Sequence, residues 1–132
     1  MSLHIYIDTI PHSEQRYPTV GDYWYPEVKG ISTPRMEVRI SSLNNEDYEL
    51  LVAIHELVEA HLCRKAGISE EAITAFDKTF EANRPEGNTD EPGNDPTAPY
   101  HKEHIFATDI ERHLAAILGI DWETYDAAVN AL

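Results

Sequence analysis

Apolar residues recur along this chain with two different periods. Over the first 43 residues the period is two. Leu3, Ile5 and Ile7 alternate with His4, Tyr6 and Asp8, the pattern of a half-buried strand. Asp22-Tyr23-Trp24-Tyr25 is rich in aromatic side chains that favour extended backbone, and it predicts a second short strand. Met36, Val38 and Ile40 alternate with Glu37, Arg39 and Ser41 and predict a third. Pro11 and Pro18 bracket the first connection, and Pro26, Gly30 and Pro34 punctuate the second. No helical segment separates these strands, so an antiparallel sheet is expected.

Beyond residue 43 the period becomes helical. Asn44 or Asn45 is placed to cap a helix whose first turn carries Glu46 and Asp47, where acids favour the helix dipole. Leu50, Leu51, Ile54, Val58 and Leu62 form its apolar stripe, and Gly67 ends it. Ser69 caps a second helix with Ile73, Phe76 and Phe80 inside it. Residues 84–99 hold Pro, Gly, Asn and Asp without apolar periodicity. A loop of that length in a small domain is usually functional or mobile. Pro99 suits the first turn of a third helix, from Tyr100 to Leu118, with Phe106, Ile110, Leu114 and Ile117 as its apolar stripe. Gly119 ends it. Asp121 caps a fourth helix with Trp122, Tyr125 and Val129 on its apolar side. The expected fold is α+β: a small N-terminal antiparallel sheet packed on three to four helices, the first of them central.

Composition narrows the setting. The 132 residues suit one domain, a β-rich part over 1–43 and a helical part over 44–132, and 42% apolar content is enough for one core. Lys plus Arg number 10 against 24 Asp plus Glu, giving a net charge of -14. Such a surface repels phosphate backbones and anionic headgroups, so nucleic acid and membrane are not expected partners. No apolar run approaches the roughly 20 residues that span a bilayer, and no basic-then-apolar leader is seen. The single cysteine, Cys63, has no partner for an internal disulfide, and a cytoplasmic setting is expected.

Candidate chemistry sits in His55-Glu56-Leu57-Val58-Glu59, mid-way along the first long helix. His55 and Glu59 are four apart and project from nearly the same face. An imidazole and a carboxylate at that spacing reach one cation, and zinc suits mixed nitrogen and oxygen donors. Glu56 lies about 100° round the helix, where a general base acts on a metal-bound water. The apolar stripe puts His55 and Glu59 at the margin of the buried face. A second cluster, His101-Lys102-Glu103-His104, opens the third helix. Either His101 or His104 completes a site begun by His55 and Glu59, or Glu103 and His104 face Glu56 and Glu59 as in helical carboxylate bundles. Glu103 lies near the apolar stripe, where a carboxylate is costly unless paired or metal-bound. Glu111, seven residues after His104, is a further ligand or an orienting partner. His61 lies about 120° from His55 round the helix and is left out of the site, His4 and His12 have no identified acidic partner, and His113 and Cys63 are read as structural.

His55-Glu56-Leu57-Val58-Glu59 resembles the zincin metallopeptidase helix, His-Glu-x-x-His. That resemblance implies that His55 is a zinc ligand and Glu56 the base, with Glu59 standing where the family has its second histidine. The wider pattern, His-Glu-Leu-Val-Glu-Ala followed by Ala98-Pro-Tyr-His-Lys-Glu-His104, resembles small uncharacterised proteins of bacteriophages and prophages. The expected function is a zinc-binding or other divalent-metal hydrolase-like protein acting on a peptide or protein, with Met36 to Ser41 offered as the edge strand for an extended substrate. The alternative is a non-catalytic phage accessory or assembly protein with a structural metal or a simple polar cluster.

Overall fold

The computed structural model describes residues 2–26 and 34–132. Three strands, β1 (His4–Ile10), β2 (Gly21–Trp24) and β3 (Arg35–Ser41), precede four helices. These are α1 (Glu46–Ala66), α2 (Glu70–Ala82), α3 (His101–Ile117) and α4 (Trp122–Asn130). Short 3-10 turns lie at His12–Glu14 and Pro92–Asn94. The protein is α+β, with the sheet packed against the helices. No described helix is long and apolar enough to cross a membrane.

The sheet is mixed, not purely antiparallel. Its order is β1-β3-β2, with β3 central. Tyr23 pairs with Val38 in the antiparallel half, and Ile5 with Met36 and Ile7 with Val38 in the parallel half. The chain reverses twice between β1 and β3, so those two run in the same direction once they become neighbours. The absence of a helical crossover therefore did not fix the pairing. Because β3 is paired on both sides, the Met36–Ser41 segment cannot be the edge strand expected from the sequence.

Met36, Val38 and Ile40 are fully or almost fully buried against Leu51 and Val52 of α1. β1 behaves differently. Its alternating pattern is present, yet Ile5 and Ile7 are both 44% exposed, because α1 covers β2 and β3 rather than β1.

Helix ends follow the local chemistry. Asn45 Oδ1 accepts from the backbone N–H of Asp47 and Tyr48 at 3.0 and 3.1 Å, which settles the cap in favour of Asn45 over Asn44. Gly67 closes α1 in the left-handed region at φ 74°, where its missing side chain matters. Ser69 and Asp121 accept from Ala72 N–H and Thr124 N–H.

α1 is covered on two sides, by the sheet and by α3. His55 and Glu59 are therefore buried between layers and not at a margin. α3 also turns differently from expectation. It presents His104, Ala107, Glu111 and Ala115 inward, while Phe106 (52%) and Ile117 (81%) face outward. Alanines allow close approach of the two helices, and the polar side chains between them find partners. Phe106, Ile110 and Ile117 of the expected stripe lie outside, only Leu114 packs on the core, and Glu103 is half-buried.

Candidate metal centre

α1 and α3 bring three groups to one point. His55 Nε2 lies 2.9 Å from Glu59 Oε2 and 3.2 Å from His104 Nδ1, and His104 Nδ1 lies 2.8 Å from the same Glu59 oxygen. All three residues are buried. His55 and Glu59 meet because four residues make one helical turn. His104 reaches them from the first turn of α3.

Each imidazole is held from behind by a second carboxylate. His55 Nδ1–H donates to Glu111 Oε1 at 2.8 Å, and Tyr125 OH donates to Glu111 Oε2 at 2.5 Å. His104 Nε2–H faces Glu91 Oε2 at 2.9 Å and Asn94 Oδ1 at 3.1 Å. Tyr23 OH donates to the outer oxygen of Glu59 at 3.0 Å. Such outer partners fix the ring orientation of ligating histidines.

The electrostatics follow from this arrangement. Burial disfavours the charged form of both imidazoles. The carboxylates outweigh it, raising His104 to about 9, chiefly through Glu59 and Glu91. His55 is also raised well above its ordinary value, through Glu111 and Glu59. Burial likewise opposes ionisation of Glu59, but hydrogen bonds from His104 and His55 hold it down at about 2. Glu56 is the contrast. Burial, aided by the charge of Glu59, pushes its carboxyl up to about 8. No hydrogen-bonding group among the described residues stabilises its anion.

His55, Glu56, Glu59, His104 and Glu111 line a cleft of about 1100 Å³, walled by β2, α2 and the 84–99 segment. At two glycines the backbone passes close against these side chains. A Cβ at Gly21 would lie 2.6 Å from Glu56 Cγ, and one at Gly93 would lie 2.4 Å from the His104 ring.

The buried group of His55, Glu59 and His104 could hold a metal ion. No family model, curated protein or solved structure matches the chain. Function is therefore read from these side chains themselves.

Of the sequence candidates, His55, Glu59 and His104 converge and Glu111 stands behind His55. His101 does not join them; its Nδ1 bonds the Gly93 carbonyl at 2.9 Å. Glu103 is likewise outside the group, because the third helix turns His104 inward instead. Sequence reasoning passed over Tyr23, Glu91, Asn94 and Tyr125 as partners of the cluster. The length of the 84–99 loop was the available signal for Glu91 and Asn94, and the aromatic run at 23–25 for Tyr23.

Proposed function

We propose that the protein is a divalent-metal hydrolase-like protein, with zinc held by His55 Nε2, Glu59 Oε2 and His104 Nδ1 and with Glu56 as general base. The observation that carries this reading is the convergence of two ring nitrogens and one carboxylate oxygen on a single buried point.

Protons alone serve that point poorly. His55 Nδ1 and His104 Nε2 face carboxylates and carry protons there. Their other nitrogens both aim at one oxygen, only 3.2 Å from each other. Without a cation, either both rings donate to that oxygen or one ring donates to the other's lone pair, and in both cases two imidazoles crowd one acceptor. A divalent ion would take the place of the protons among these three groups and accept a lone pair from each. The spacing supports this. Zinc bonds of about 2.0 Å set tetrahedral donors roughly 3.3 Å apart, a few tenths beyond the separations seen. Two histidines and a carboxylate are also a donor set of catalytic zinc sites, which leave the fourth position open.

A bound divalent ion supplies Lewis-acid polarisation of water and of a substrate carbonyl. The chain supplies the rest. Glu56 faces the cleft with an unpaired carboxylate whose proton affinity suits exchange near neutral pH. Glu111 and Glu91 hold the rings, and Tyr23 restrains Glu59. A peptide is the substrate class we favour, basic or neutral in view of the acidic surface. β2 lines the cleft and takes the place expected of β3 as the strand beside an extended chain. The setting we favour is a bacteriophage or prophage protein in the bacterial cytoplasm.

A second reading has its own support, since each imidazole nitrogen already has a partner without any ion. The cluster is then a structural polar network. Elemental analysis of protein purified without chelators separates the two. Stoichiometric metal, lost in His55→Ala and His104→Ala, is expected. Glu56→Gln should retain metal and fold yet lose cleavage of a quenched-fluorescence peptide library. Failure to take up zinc at mildly alkaline pH, where protons compete least, would leave only the polar network.

A further inference from the structure

β1 is a seven-residue strand at the edge of the sheet, and among the described residues no strand pairs with its outer side. Ile5, Tyr6 and Ile7 are each more than two-fifths exposed. Ile5 and Ile7 stand level with Met36 and Val38 and so share the core-facing side of the sheet, but they extend beyond the cover of α1. Long, apolar, unprotected edges invite another strand.

The backbone fixes which atoms are offered. His4 N–H donates to Pro34 O at 2.9 Å, and Ser42 N–H donates to Ile10 O at 2.8 Å. Even-numbered residues of β1 therefore turn their backbone groups toward β3. Ile5 and Ile7 turn theirs outward.

The geometry points to a second copy of this chain as the occupant, with two β1 strands pairing antiparallel about a two-fold axis at Tyr6. In that register Ile5 exchanges both backbone hydrogen bonds with the partner's Ile7, and the reverse. His4 then stands opposite the partner's Asp8, and Asp8 opposite the partner's His4. Apolar meets apolar on one side of the sheet, and a histidine meets a carboxylate twice on the other. Shifting the axis by one residue either way keeps the backbone bonds but separates both His–Asp pairs. Only the Tyr6 register satisfies backbone parity, apolar contact and charge together. The product is a continuous six-stranded sheet. The interface is small, so the pairing depends on concentration. This inference is independent of the metal reading, and chelator is present throughout its test.

The test is sedimentation velocity of the full chain from micromolar to near-millimolar concentration. A monomer–dimer equilibrium is expected. Asp8→Lys should weaken it several-fold to about tenfold, since each exposed cross-strand pair contributes modestly, and adding His4→Glu should restore it. Tyr6→Cys places two thiols in a closely spaced non-hydrogen-bonded pair, so it should cross-link under mild oxidation faster than Ile5→Cys. The unaltered chain, with Cys63 buried, is the control. All four positions are exposed, so retained circular dichroism checks the fold. A chain monomeric at every concentration overturns the proposal. So does a dimer indifferent to the charge swap, or one that cross-links better through position 5.

Discussion

Each histidine of the cluster lies between two carboxylates, and under the proposed metal reading the outer member of each pair would set how well the inner nitrogen binds a cation. Glu111 carries His55 and is itself held by Tyr125. Replacing Glu111 with Gln removes the charge that favours the Nδ1–H tautomer but preserves volume. Metal affinity should fall by about 10- to 100-fold, the usual cost of losing such a partner. Tyr125→Phe, one bond further out, should cost less. Competition against a chromophoric chelator reads both. Equal affinities in Glu111→Gln and the unaltered protein would show that the Glu111 charge does not support ligation by His55. Glu91 makes the matching test for His104, and its effect should be weaker because its side chain is half exposed.

At the scale of elements, α3 gives a sharp contrast between what is apolar and what is buried. Ala107 is fully buried and Ala115 almost so, while Ile117 stands 81% in solvent. Ala107→Leu should therefore destabilise the fold by about 1–3 kcal/mol through overpacking against α1. Ile117→Ser should change it by less than about 0.5 kcal/mol. Chemical denaturation measures both, and a reversed order would mean that α3 faces the other way. The 84–99 segment makes a second case. Gly93→Ala sets a methyl group into the His104 ring, so metal affinity should drop even where the melting temperature is little changed. These elements also mark how far the sequence could be read. Caps at Ser69 and Asp121, the choice of Asn44 or Asn45, and the close of α1 at Gly67 were legible because they depend on neighbours a few residues away. The convergence of His55, Glu59 and His104 was partly legible, since helical spacing aligns the first two. Strand order was not, because a parallel β1–β3 pair is decided by contacts 31 residues apart in sequence, as in His4 with Arg35. The inward face of α3 was hidden for a related reason. Apolar counting favours Phe106 and Ile117, whereas the cluster supplies partners that offset the cost of burying His104 and Glu111.

For the molecule as a whole, the cluster makes the metal-free fold lose stability as pH rises from 6.5 to 9, a loss that bound metal would remove. His104 has a folded value near 9 against an ordinary 6.5, so its ion pairs support the metal-free fold fully below pH 6.5 and fade as pH rises to 9. Glu59, at about 2 against an ordinary 4.5, contributes above 4.5 and is lost as pH falls to 2. The metal-free protein should thus be most stable between these limits as far as this cluster decides it. A cation must displace the imidazole protons, so its apparent affinity rises with pH until His104 no longer holds one. Stabilisation by a ligand grows with concentration over its dissociation constant, so metal adds most where protons compete least. The net charge of -14 draws cations toward the cleft at every pH above neutrality and does not reverse the trend. The difference in melting temperature between zinc-loaded and chelator-treated protein should therefore widen steadily from pH 6.5 to 9. Differential scanning calorimetry across that range measures it. A gap that stays constant would mean that the ion sits elsewhere, away from the imidazoles. A gap of zero throughout would leave the cluster as a buried network of ion pairs that holds α1 against α3 and nothing more.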